Sequence, residues 1–139
     1  MFLTKECDYG VRIIRTLSDG EKRIVELICE AEHIPGQYAY KILKKLERAG
    51  LVQSVRGRNG GYKLQKSLQQ ITLYDIVTAI DDNLYVFECL RKGHTCANNS
   101  SDNPCSIHTE FDRIQKAIQT EMSRHSMQVL VDSANSKPG

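Results

Sequence analysis

Cys89, Cys96 and Cys105, followed by His108, stand in a C-x6-C-x8-C-x2-H spacing within the stretch CLRKGHTCANNSSDNPCSIH. Thiolate and imidazole are the side chains that hold soft and borderline metals. Structural zinc sites bring their cysteines in C-x2-C pairs, which this stretch lacks, so zinc fits it poorly. Three thiols and an imidazole on a Gly/Asn/Ser-rich segment without apolar periodicity suit a larger inorganic centre. An iron–sulfur cluster takes four ligands, chiefly cysteines, with histidine able to replace some of them. Pro104 occupies a position suited to a first helical residue. Cys105 and His108 then fall three apart on one face of an opening helical turn, where the positive end of the helix dipole sits beside an anionic cluster. His94, two residues from Cys96, is a competing imidazole. Any one of these cysteines alone would read as an incidental thiol. Cys29 falls on the inner side of a short helix and reads as core, while Cys7, beside Asp8, fits either reading.

The rest of the chain bounds what such a loop is for. Its 139 residues make one domain with room for an appendage. No apolar run approaches the ~18 residues of a membrane span. The N-terminus MFLTKECDYGVR carries charges and lacks a long apolar stretch, so a secretory signal is not expected. A cytoplasmic, reducing location follows as the expectation, and the odd count of five cysteines also argues against a disulfide framework. No nucleophile elbow, P-loop, dinucleotide fingerprint or zincin motif is present, which disfavours an enzyme. The overall charge of +2 conceals a basic first half, +5 over residues 1–70, and an acidic second half, −3 over residues 71–139. Between Lys41 and Lys66, eight basic residues face Glu47 alone. A solvated face would account for that excess, and so would a phosphate-binding surface.

Periodicity decides between them by placing the charge. Residues 4–18 put Tyr9, Val11, Ile13, Ile14 and Leu17 at helical spacing after Thr4, a natural N-cap. Residues 24–32 form a short second helix with Ile24, Leu27, Ile28 and Ala31 inward, broken by His33-Ile34-Pro35-Gly36. Residues 37–49 form a third, with Ala39, Ile42, Leu43 and Leu46 on one face and lysines opposite, ended by Gly50. LVQSVRGRNGGYKL then reads as a β-hairpin with Asn-Gly at its tip. The expected fold is mainly α with this one small hairpin. Residues 1–81 make a winged helix-turn-helix that ends in a helix over 72–81, capped by Thr72 and Asp75. Residues 82–103 are the cysteine loop, 104–134 a single long helix, and 135–139 a tail. Along the long helix Ile107, Phe111, Ile114, Ile118, Met122, His125 and Val129 recur at 4, 3, 4, 4, 3, 4. That stripe reads as a homodimer seam in preference to a helix folded onto its own core. A two-fold dimer matches a palindromic double-stranded DNA operator.

In a winged helix-turn-helix the third helix enters the major groove and the wing touches backbone or minor groove. The residues placed to meet DNA are Gln37, Tyr38, Tyr40, Lys41, Lys44 and Lys45 on the helix. On the wing they are Arg56, Gly57, Arg58, Asn59, Gly60, Gly61 and Tyr62. The basic excess coincides with both elements.

The helix-turn-helix, the wing LVQSVRGRNGGYKL, the start DYGVR, the segment TLYDIVTAID and the C…C…C-x2-H loop together resemble the Rrf-two type of bacterial transcription regulator, the IscR/NsrR/CymR family. The resemblance spans nearly the whole chain. It implies a homodimeric, DNA-binding regulator, foremost a repressor, gated by an iron–sulfur cluster: 2Fe–2S first, 4Fe–4S as the alternative. By resemblance Cys89, Cys96 and Cys105 are the cluster thiolates and His108 matches the fourth ligand of the IscR type. Asp8 matches the rival fourth ligand that nitric-oxide sensors of the family draw from the partner's first helix. Branches of the family lacking these cysteines carry no cluster. Tyr38 and Tyr40 stand close to where the IscR type carries an acidic selectivity residue, so operator sequence does not carry over. A cluster-free regulator whose cysteines sense oxidants directly is the competing reading. A zinc-stabilised protein-binding module is a third, disfavoured by the basic surface.

Overall fold

The computed structural model describes residues 3–135. Of the expected tail, residues 136–139 lie outside the described residues. Helix α1 (Lys5–Thr16) starts where the Thr4 side chain accepts a hydrogen bond from the Cys7 amide. Glu6 and Asp8 in its first turn favour the same end of the helix dipole. Helix α2 (Val25–Glu32) ends at His33, which adopts the left-handed conformation, φ 54°. Helix α3 (Gly36–Arg48) buries Ala39, Ile42, Leu43 and Leu46, and Gly50 at φ 79° ends it. Strands β1 (Val52–Val55) and β2 (Gly61–Leu64) pair antiparallel with Val52 opposite Leu64. Helix α4 (Leu73–Ile80) opens with a capping box in which Thr72 and Asp75 satisfy each other's amides. Gly10 lets α4 approach α1 closely: a Cβ there would sit 3.1 Å from the Ile80 side chain. The core collects Ile13, Ile14, Leu17, Ile28, Ile42, Leu43, Leu46, Leu51 and Ile76, so the winged helix-turn-helix is the observed architecture. No described helix is long and apolar enough to cross a membrane.

Glu32 fastens α1 to α2. It accepts from Arg15 at 2.6 Å and from the Thr16 hydroxyl at 2.8 Å. Burial alone would raise its carboxyl pKa, but these donors outweigh it and hold the group below the usual carboxylate range.

Four expectations change. First, α2 turns a different face inward. Val25 and Ile28 are buried, whereas Ile24, Leu27 and Ala31 are exposed. The reason is non-local: Arg23 bonds both ways with Tyr62 of β2, at 2.9 and 2.8 Å, which holds Ile24 extended and starts the helix at Val25. Cys29, expected in the core, is accordingly half-buried. Second, Asn-Gly is not the centre of the wing turn. The bond runs from the Gly60 amide to the Gly57 carbonyl, so Arg58 and Asn59 are the central pair, and Gly57 takes φ 121°.

Third, the long helix is two. Helix α5 (Ser106–Met122) ends at Ser123, and helix α6 (Met127–Asn135) begins after the Ser126 side chain accepts the Val129 amide. Ser126 bridges Thr72, and the Met127 amide bonds the Ile71 carbonyl at 2.7 Å. Met127 is buried, with Leu130 and Val131 packed beside it, so α6 closes the core of the winged unit. Burying those apolar groups, together with two backbone contacts to 71–72, outweighs the four residues of helix lost at the break. Fourth, Pro104 precedes the helix: Cys105 is the N-cap and Ser106 the first helical residue.

Candidate functional site

Helix α3 exposes Gln37, Tyr38, Tyr40, Lys41 and Lys44, away from its buried residues Ala39, Ile42, Leu43 and Leu46. Tyr38 leans its ring on Tyr9, 6.1 Å between centroids, which fixes its direction. Lys45 is placed otherwise than the charge pattern suggested. Its ammonium donates to the Ile80 carbonyl at 3.0 Å and to Glu6 at 3.4 Å, so it ties α3 to α4 and α1. Glu6 also accepts from Lys41 at 3.0 Å, and that bond, with Lys45 nearby and against the opposing effect of burial, lowers the Glu6 carboxyl pKa. On the wing Arg56, Gly57, Arg58 and Asn59 are exposed, while Gly60, Gly61 and Tyr62 are half-buried. Tyr62 is a support: its ring packs on the core, and burial, with the Glu47 charge, pushes its phenol pKa up. Two residues of this surface carried no sequence signal, Arg23 behind the wing and Glu6 behind α3.

The cysteine loop is anchored at both ends. Leu84 is buried, and the buried Gln115 of α5 donates to the Leu84 carbonyl and accepts from the Val86 amide, both at 2.8 Å. Phe87 stacks on Phe111 at 4.3 Å, nearly parallel. The opening of this loop therefore buries Leu84 although the loop carries no apolar periodicity. A single 3-10 turn, Glu88–Leu90, then delivers Cys89 to His108: Sγ and Nδ1 stand 3.3 Å apart. At the far end the Cys105 amide donates to the Asn99 side chain at 2.8 Å, which holds Cys105 at the head of α5, three residues before His108. Between these anchors residues 91–104 are exposed except for half-buried Asn99, and are held by short turns such as Asn99 to Cys96.

The structure thus brings together Cys89 and His108 and keeps Cys105 on the same helix end. Cys96 is exposed on the loop, and no three metal-binding side chains converge among the described residues. Asp8 is ion-paired with Arg12 at 2.9 Å and borders an apolar groove of about 590 Å³ between α1 and α4. His94 is exposed beside Cys96. The donor chemistry fits an iron–sulfur cluster: thiols and an imidazole at a helix N-terminus, with the one distant thiol on a segment that no apolar packing restrains.

Along α5 only Gln115 is buried. Ile107 is 60% exposed, and Phe111, Ile114, Ile118 and Met122 are half-buried. Phe111 already spends one face on Phe87 of its own chain. His125 falls in the break and Val129 on α6, so these two do not continue the α5 stripe as the seven-residue spacing implied.

Residues 3–133 match the family model of Rrf2, described as an iron-dependent transcriptional regulator. The chain belongs to the Rrf2 family. Protein aau3 of Rhizobium meliloti is 43% identical over 96 residues, covering 67% of this chain and 62% of that protein, so the match spans about three fifths of that relative. Among solved structures, T. potens IscR superposes with a TM-score of 0.73 at 20% identity, covering 99% of this chain and 91% of that one. CymR of B. subtilis, titled the global cysteine regulator, gives 0.73 at 19% identity over 94% and 96%. At such identities both establish the fold alone. The family is one of transcriptional regulators.

Proposed function

We propose that this Rrf2 regulator binds a palindromic operator as a homodimer, foremost as a repressor, under control of an iron–sulfur cluster held by Cys89, Cys96, Cys105 and His108. The observation that carries the reading is the 3.3 Å contact between Cys89 and His108, with Cys105 capping the same helix. A cluster there would supply a centre whose charge and integrity respond to iron supply, oxidants or nitric oxide. The chain's own residues do the rest. Gln115 and the Phe87–Phe111 stack fix where Cys89 sits. Ile107, Ile114 and Ile118 offer the partner an apolar seam. The order of the loop then biases how α5 is held against the winged unit, shifting the population that fits an operator. A cluster-free thiol switch is the second reading, favoured by the exposure of Cys96.

Protein purified without oxygen, with its visible spectrum and its iron, sulfide and zinc content, separates the two. A brown protein with matched iron and sulfide supports the cluster, and the loss of colour in His108→Ala or in Asp8→Ala names the fourth ligand. A colourless protein that resists reconstitution with iron and sulfide sinks the cluster reading in favour of the thiol switch.

DNA affinity on this reading rests on phosphates neutralised by Lys41, Lys44, Arg56, Arg58 and Lys63. It falls steeply with salt, by a slope of about 0.9 per phosphate contact on logarithmic axes. Arg58→Ala, at the centre of the wing turn, is expected to weaken binding to operator and random duplexes alike by about 1 kcal/mol and to flatten the slope. Unchanged affinity and slope in fluorescence anisotropy would remove the wing from the interface. Gln37 substitutions are expected to change preference among sequences instead.

A further inference from the structure

Among the described residues Glu6 is the one acidic side chain in hydrogen-bonding contact with a lysine of the exposed α3 face, and it divides its two oxygens between two lysines. Oε1 receives Lys41 at 3.0 Å and Oε2 receives Lys45 at 3.4 Å. The two lysines differ in what else holds them. Lys45 is 29% exposed and also donates to the Ile80 carbonyl, so it remains fastened whatever Glu6 does. Lys41 is 57% exposed, has no other bond among the described residues, and stands one turn from Gln37 on the DNA-facing side of α3. An ion pair that exposed is weak and a phosphate can displace it. To reach a phosphate, however, Lys41 must leave a carboxylate that stays behind beside the incoming backbone.

We propose that Glu6 is a built-in attenuator of DNA affinity, a positioning residue that holds Lys41 off the phosphate backbone in free protein and repels that backbone once Lys41 has let go. Its effect is general, because a phosphate contact carries no sequence information. The gain for the protein is discrimination. Lowering the sequence-independent part of binding leaves a larger share to base contacts from residues such as Gln37 and Tyr40, and frees the regulator from the excess of non-operator DNA. The attenuator rests on the reading of α3 as the DNA-facing helix.

The test is fluorescence anisotropy of the full chain on a random-sequence duplex of about two helical turns, over a salt series, for wild type, Glu6→Gln, Lys41→Gln and the double variant. Glutamine keeps the shape of Glu6 and removes its charge. Glu6→Gln is expected to tighten random-duplex binding about fivefold and to steepen the logarithmic salt slope, because the phosphate contact of Lys41 is then no longer opposed by a neighbouring carboxylate. The double variant is expected to lose both gains. If Lys41→Gln weakens binding but Glu6→Gln leaves affinity unchanged or lowers it, the attenuator is overturned while α3 remains the DNA-facing helix. If Lys41→Gln also has no effect, the placement of Lys41 at DNA fails with it. Thermal melts accompany each variant. Should Glu6→Gln fail to fold, Glu6→Asp, one methylene too short to span both ammonium groups, is expected to shift affinity in the same direction by a smaller factor, and no shift overturns the proposal.

Discussion

Gly61→Ala is expected to detach the wing from the helical body and lower stability by about 2–4 kcal/mol. The cause is not backbone conformation, since Gly61 does not adopt a positive φ. It is approach: a Cβ at this position would lie 2.2 Å from the Arg23 carbonyl oxygen and 2.7 Å from its carbon, both main-chain atoms that cannot rotate aside. Relief requires β2 to move away from Arg23, which breaks the two reciprocal bonds between Arg23 and Tyr62. Each such bond is worth about 1 kcal/mol, and the half-buried Tyr62 ring loses packing with them. A fall in Tm of about 10 °C follows for a domain of this size. Binding to random duplex should fall with it, because Arg56 and Arg58 ride on the displaced hairpin. A melt by circular dichroism within about 2 °C of wild type would refute this account of Gly61.

Gln115→Leu tests the other end of the molecule. Leucine matches the volume but leaves the Leu84 carbonyl and the Val86 amide without partners in a buried setting, at about 1–3 kcal/mol each. The stacked pair Phe87–Phe111 contributes only about 0.5–1.5 kcal/mol beyond its buried area and cannot hold the segment alone. Residues 84–90 are therefore expected to open, and Cys89 to part from His108. In metal-free protein this appears as faster amide exchange at Val86 and faster alkylation of Cys89, with the winged unit still melting cooperatively. Unchanged exchange at Val86 would show that the loop is held by something other than Gln115. On the cluster reading the same variant is expected to lose colour sooner in air.

Much of the fold was readable because its signals are local. Thr4, Gly50 and the Thr72/Asp75 pair each mark a helix end through bonds made within three or four residues, and α1, α3 and α4 begin and end within two residues of the places those signals indicate. Helix α2 was misread on its inner face because its start is set by a bond to Tyr62, thirty-nine positions away, which no local pattern encodes. The joint between α5 and α6 contains neither proline nor glycine, so the apolar spacing ran through it unbroken. Ser126 was the available sign, a good N-cap standing just before Met127. At the cysteine loop the candidate donors follow from residue type alone, and of them the structure brings Cys89 and His108 together. Gln115 does not follow from its type: a polar residue on a helix reads as surface, and only the backbone of residues 84–86 gives it a reason to be buried. Lys45 was misplaced for the converse reason, since counting charge does not say which lysines are already spoken for.

The return of α6 to the winged unit also sets when the protein can fold. Ile71 and Met127 are joined by a backbone bond across fifty-six positions, and Leu130 and Val131 complete the same core. During synthesis α3 and the hairpin emerge before the side chains of α6 that close their core. Until then the apolar surface beside Ile71 stays open and the winged unit is incomplete. Loop closure over that distance also makes this contact a late and slow one in refolding. The cysteine loop and α5 lie between the two halves of that contact. The contact between Ile71 and Met127 therefore encloses them, which ties the completion of the winged unit to the presence of the cysteine loop.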